Sequence, residues 1–253
     1  MELELKSKDD VARMRRAGGI VAEVLQRLQE AVGPGVTTLE LDRIAEEITR
    51  KRGAVPAFKG YRVGDRVFPA SLCVSINEEV VHGIPSSRAL REGDIVGLDF
   101  GVVIDGYYGD AAVTVPVGAI TEQAQHLVDA TRESHWQGIR TIRAGSRLGD
   151  LSHAIQSYAE GAGLSVVREF VGHGIGRRLH EEPQVPNFGE PGRGRLLREG
   201  MVLAIEPMLN LGDPGVLVKD DGWTAVTRDG SLSAHFEHSV AITADGPMVL
   251  TQL

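Results

Sequence analysis

The 253-residue chain holds a single cysteine, Cys73. One cysteine excludes an internal disulfide and any cysteine-based zinc finger, and it fits a reducing compartment. Positive charge is also in deficit, with 27 Lys and Arg against 35 Asp and Glu and a formal net charge of −8. That balance disfavours nucleic acid and acidic membranes, because a phosphate surface needs a basic counter-surface. Any ribosome contact then has to be local and transient. No apolar run approaches the roughly 18 residues needed to cross a bilayer. The stretch from Met1 to Lys6 lacks the basic start and apolar core of a signal peptide. Low-complexity segments and a flexible interdomain linker are missing too. What remains is an ordinary globular composition, 42% hydrophobic and 25% charged, long enough to bury a large core. The expectation is a cytoplasmic monomer without membrane or stable nucleic-acid partners.

The apolar spacing predicts an amphipathic helix after Ser7 through Val11, Met14, Val21, Leu25 and Leu28, stopped by Gly33-Pro34-Gly35. A second helix opens at Thr37 with Glu40 in capping-box spacing and ends near Gly53. Ser71 to Ile76 reads as extended. Ile95 to Val115 reads as two strands joined by Asp105-Gly106, a dipeptide suited to the positive φ angles of a tight hairpin turn. A third helix runs from Thr121 to Gly145, and further strands are expected at Met201 to Pro207 and Phe236 to Thr243. At a constant offset of 110 residues, Gly35, Glu40, Leu41 and Gly53 recur as Gly145, Asp150, Leu151 and Gly163. A repeat of that kind implies two similar halves, near 1–117 and 118–253, with a site where they meet.

Asp99 and Asp110 are acids inside strands, where Asp is normally depleted. If Asp105-Gly106 is a two-residue turn, Asp99 stands opposite Ala112, and Asp110 is its diagonal neighbour on the same face. A three-residue loop without a bulge would put the two acids on opposite faces, and a solvent-facing polar hairpin is the plain alternative. Glu206 ends the apolar run from Met201, and Glu237 begins another. A carboxylate there is either an edge residue meeting water or a group held by a counter-charge. His82, His173 and His180 lie in glycine-containing segments where a lone histidine is usually a polar loop residue. Gly172, Gly174 and Gly176 do not form a phosphate loop, since no Gly-Lys-Ser/Thr follows. Taken together, four carboxylates and one histidine would repel as an isolated cluster but suit two divalent cations, which offset the charge. Oxygen-rich ligands with one imidazole fit Mn, Fe, Co or Zn, and the chemistry such ions support is hydrolysis.

Five segments in order carry a resemblance: Cys73 to Pro85, the Asp99/Asp110 hairpin, Gly172 to Pro183, Ile205 to Met208, and Phe236 to His238. Over nearly the whole chain they resemble the type I methionine aminopeptidases. The resemblance implies an α/β (α+β) pita-bread fold, with two pseudo-symmetric halves of mainly antiparallel strands around a central dinuclear metal site. It implies removal of the initiator methionine from nascent polypeptides, with a small residue preferred in second place. Asp99, Asp110, His173, Glu206 and Glu237 match the metal ligands, with Asp110 and Glu237 bridging. His82 and His180 match the histidines that position the peptide, and Glu206 matches the proton shuttle. The walls of the methionine slot would include Tyr61, Phe68, Cys73 and Trp223, with Phe58 and Leu179 nearby. The segment Gly60 to Phe68 is longer than the commoner pattern, and Leu179 stands where an aromatic is frequent. Only 26 residues separate His180 from Glu206, which leaves no room for the helical insertion of type II relatives. Two other readings stay in view. A proline-specific aminopeptidase shares this ligand set but usually carries an added N-terminal domain, and a non-catalytic binding protein on the same fold typically loses ligands.

Overall fold

Three of the four helices begin where a side chain accepts a free N–H of the first turn. The computed structural model describes residues 3–252. Helix α1 (Lys8–Ala31) starts at a capping box in which Asp10 N–H donates to Ser7 Oγ and Ser7 N–H donates to the Asp10 carboxylate. Helix α2 (Thr38–Lys51) repeats the device with Thr37 and Glu40. Thr121 caps α3 (Glu122–Thr141). At α4 (Leu148–Gly161) the Asp150 carboxylate accepts the Arg147 N–H at 2.8 Å. Helix α3 stops four residues before the expected Gly145. Ile142 leaves the helix with ψ 123° and fills the core, and Gly145 makes the positive-φ turn beyond it.

The second helix pair reproduces the first at an offset of 110 residues. Both α2 and α4 are 14 residues long, and the caps Val32 and Ile142 have matching extended backbones. Gly35 N–H donates to Leu90 O as Gly145 N–H donates to Leu197 O, at 2.8 and 2.9 Å.

Every strand pair among the described residues is antiparallel, and the largest sheet has nine strands. At its centre Ile95–Ile104 and Tyr107–Pro116 form a hairpin with ten registered pairs, closed by Asp105 (φ 52°) and Gly106 (φ 78°). Glu237–Thr243 joins Tyr107–Pro116 through two pairs, then pairs with Val202–Ile205, which pairs with Gly172–Gly174. The helices cover one face. Leu98, Phe100 and Val102 pack with Val21, Leu25 and Leu41, while Leu203, Ile205, Val240 and Ile242 pack with Leu151 and Ile155. Strand alternation therefore turns Asp99, Asp110, Glu206 and Glu237 to the opposite face. The acids interrupt apolar strands because each strand has one face on the helices and one on the site.

Candidate metal centre

The sheet builds the site as two cross-strand rows. Cys73 pairs with Asp99, Asp99 with Ala112, and Ala112 with Glu237, so a methyl group separates the two acids. Asp110, paired with Gly101, lies diagonal to Asp99, as the two-residue turn requires. Ser239 bonds the Asp110 backbone on both sides, donating from Oγ to its carbonyl and accepting from its N–H. Ala204 pairs with both Ser239 and His173. Ile205 pairs with His238, which sets the next residues, Glu206 and Glu237, side by side. His173 is squeezed between two strands by Gly172 and Gly174. A Cβ on either glycine would run into the carbonyl of Ala204 or Glu182, which accounts for the Gly-His-Gly spelling.

Donor atoms of Asp110, His173 and Glu237 all lie within 4.8 Å of one another. Asp99 and Glu206 stand outside that tight group but line the same cavity, of about 290 Å³, and Glu206 Oε1 is 3.5 Å from His173 Nε2. His82, His180, Tyr61, Phe68, Cys73, Trp223, Phe58 and Leu179 line it as well, so every residue singled out in the sequence reaches one space. A wider groove of about 700 Å³ between α1 and α2 is bordered by surface charges such as the Arg52–Glu23 pair and holds none of these residues.

The donor set fits cations. Asp99 Oδ1, Asp110 Oδ1 and Glu237 Oε1 are buried without a hydrogen-bond partner, an arrangement that is costly unless something positive meets them. His173 Nδ1 sits 2.9 Å from Gly174 O, so the proton belongs there and Nε2 offers its lone pair to the cavity. Burial pushes Asp99 up to about 7 and drives Asp110, Glu206 and Glu237 well above the usual carboxylate range, and mutual repulsion adds to this for the last three. Burial also lowers His173 to about 3 and His82 to about 4, so both rings are neutral at working pH. The Cys73 thiol is raised by burial and by Asp99, and it serves as an uncharged wall. His82 holds a backbone φ of +60°, an uncommon conformation for a residue with a Cβ, and its ring stands edge-on to Phe170. Tyr61 Oη is 2.7 Å from His180 Nδ1, and the His180 ring lies 4.3 Å from that of His173.

Two neighbours of the site were not singled out in the sequence. His235 Nε2 is buried without a partner, 3.9 Å from Glu206 Oε2. Strand alternation back from Glu237 is the signal that points to it. Val63 lines the cavity from the Gly60 to Phe68 segment, where no periodic pattern marks it.

These shifts set a pH dependence. Between about pH 7 and about pH 8 the buried site histidines His82, His173 and His235 are neutral in the folded state and mostly neutral in the unfolded one. The unfolded carboxylates are ionised there, while folded Asp99, at about 7, gives up its proton through this window, and the upward shifts of Asp110, Glu206 and Glu237 act in the same direction. The folded state therefore binds more protons, and the metal-stripped protein is expected to lose stability as pH rises through this window. The slope is about 1.4 kcal/mol per pH unit for each proton retained. Urea midpoints at the two ends of the window check this; a flat profile would contradict it, and adding Mn(II) should remove the slope.

A buried carboxylate and imidazole cluster where strands from both ends of the chain meet is the signature of a metal-dependent hydrolase. The chain belongs to metallopeptidase family M24, which residues 12–244 match, and its architecture is the pita-bread fold. It is 55% identical to the methionine aminopeptidase of Clostridium perfringens over 247 residues, covering 98% of each chain. The crystal structure of a methionine aminopeptidase from Thermotoga maritima superposes with a TM-score of 0.97 at 48% identity, covering 100% of both chains. The prolidase of Pyrococcus furiosus shares the fold alone, with a TM-score of 0.78 at 21% identity over 98% of this chain and 65% of that one.

Proposed function

We propose that this chain is a methionine aminopeptidase that releases the initiator methionine from nascent polypeptides with a small second residue. The observation that carries the reading is one cavity in which the donor cluster shares walls with an apolar slot of Phe58, Phe68, Cys73, Leu179 and Trp223. Unbranched and apolar, a thioether side chain suits such a slot. In this reading Asp99, Asp110, His173, Glu206 and Glu237 would hold two divalent ions, of Mn, Fe, Co or Zn, with Asp110 and Glu237 as the ligands common to both. When bound, such ions acidify a water and polarise the carbonyl under attack.

The chain's own groups do the rest. Glu206 accepts the proton of the attacking water and returns it to the departing amine, working beside His173 and His235. With the Tyr61 hydroxyl, 2.7 Å away, as donor to His180 Nδ1, the imidazole proton stands on Nε2 as a donor for charge developing on the carbonyl oxygen. Neutral His82 positions the peptide. The whole chain acts as one catalytic unit of two halves, 1–117 and 118–253, working in the cytoplasm as a monomer with at most transient ribosome contact. Among the described residues no helix is long and apolar enough to cross a membrane.

Release of the first residue from Met-Ala-Ser, Leu-Ala-Ser and Ala-Pro-Ser by stripped protein, before and after Mn(II) or Co(II), tests the reading. Methionine release should appear only with metal and exceed the other two by about a hundredfold, since the slot discriminates by shape and apolar contact. Preferred cleavage before proline would instead indicate a proline-specific enzyme, and stoichiometric metal binding without release a binding protein.

A further inference from the structure

Between Tyr61 and Phe68 the chain leaves the cavity wall and returns to it as a small hairpin. Arg62 pairs with Val67 and Val63 with Arg66, around a tip of Gly64 (φ 60°) and Asp65. Glycine at the first tip position suits the turns that match strand twist. The hairpin's base is fixed by backbone bonds, Phe68 N–H to Tyr61 O and Gly60 N–H to Phe68 O, both 2.9 Å. Its far leg is fixed across the mouth: the Arg66 guanidinium donates to Gly222 O and lies 5.6 Å from the centre of the Trp223 ring. Paired residues share a face, so Val63 and Arg66 face the cavity and Trp223, while Arg62 and Val67 face away.

Exposure locates the mouth. Phe58, Phe68, Cys73 and Leu179 are buried, whereas Val63 is 43% exposed although it lines the same cavity. The other exposed lining residue is His180. An aminopeptidase takes the first residue into the slot and brings its bond to the second against the donors, so the peptide from the third residue on leaves past this rim. The guanidinium of Arg66 is already engaged by Gly222 and Trp223, which leaves the apolar Val63 as the contact the hairpin offers inward.

We propose that the Arg62–Val67 hairpin is the binding surface for substrate residues beyond the scissile bond, with Val63 contacting an apolar side chain at the third position. This rests on the aminopeptidase reading. The second residue is confined between the buried donors and the mouth, and the third is the first whose side chain stands clear of the slot. Arg66 is a positioning residue that holds the hairpin over the peptide's path.

The test measures kcat/KM for Met-Ala-Leu and Met-Ala-Gly in the metal-loaded wild type, Val63→Ser and Arg66→Ala. Wild type should favour leucine by about fivefold, the value of partly burying one aliphatic side chain. Both variants should lose that preference through KM for the leucine peptide. A hairpin that merely supports the pocket would slow both peptides equally, and an unchanged ratio in either variant overturns the proposal, as does a wild type indifferent to the third residue. If the wild type releases methionine from neither peptide, the aminopeptidase reading itself has failed and the hairpin inference falls with it.

Discussion

Replacing Asp110 by asparagine is expected to lower methionine release by about a thousandfold or more, with fewer than two metal ions retained per chain. Asp110 belongs to the group whose donor atoms lie within 4.8 Å of one another, and its Oδ1 is buried without a protein partner. An amide there supplies a neutral oxygen in place of a charged one, which weakens its hold on a hard cation most where a ligand is shared. Metal content by elemental analysis and kcat with saturating Mn(II) check the two halves of the expectation. Loss of a ligand is separable from damage to the fold. Asparagine removes a carboxylate whose burial opposes ionisation, so the stripped variant should unfold at or above the midpoint of stripped wild type near neutral pH. Near-native activity with a normal complement of metal would refute the dinuclear reading.

The second large effect is expected at His180. His180→Ala should reduce kcat by about a hundred- to a thousandfold, the usual cost of losing one donor to a developing oxyanion, with metal content unchanged. Tyr61→Phe is the companion variant. It keeps the ring but removes the hydroxyl 2.7 Å from Nδ1, so the imidazole is free to carry its proton on the wrong nitrogen. Its kcat should fall less, by about tenfold, consistent with the loss of one orienting hydrogen bond. If His180→Ala changed KM alone, the histidine would be a binding group and the donor role would be lost.

Local physics made much of this legible beforehand. Ser7, Thr37 and Thr121 announce helices because a cap bonds within its own first turn, and Asp105-Gly106 decides the face of Asp99 and Asp110 because hairpin register follows from the turn. Glu206 and Glu237 were ambiguous between edge and interior. Their setting depends on the pairing of Val202–Ile205 with Glu237–Thr243, segments more than thirty residues apart. His235 is hidden in the sequence for the same reason: its neighbour Glu206, 3.9 Å away, follows a strand nearly thirty residues earlier. The early end of α3 is not registered by the apolar spacing, since Ile142 fits the helical pattern yet reaches the core from an extended backbone.

One feature of the sheet ties chemistry to mechanics. The long hairpin is laced by ten pairs, whereas two strand pairs, Ala112–Glu237 and Ala111–His238, stitch it to Glu237–Thr243, helped by the Ser239 bonds to Asp110 and by Tyr108 N–H donating to Gly176 O. Glu237 is itself one of those stitches; Asp110 lies diagonal to it, and Asp99 stands one strand further on, beyond Ala112. Like-charged carboxylates therefore sit at a lightly paired seam in the sheet. Cations shared across that seam would fasten segments 138 residues apart, from Asp99 to Glu237, much as a crosslink does in a chain that has only Cys73 and so no disulfide. The ions that equip the site for hydrolysis would then also act as rivets, and their departure would loosen the join before it disturbed either helix layer.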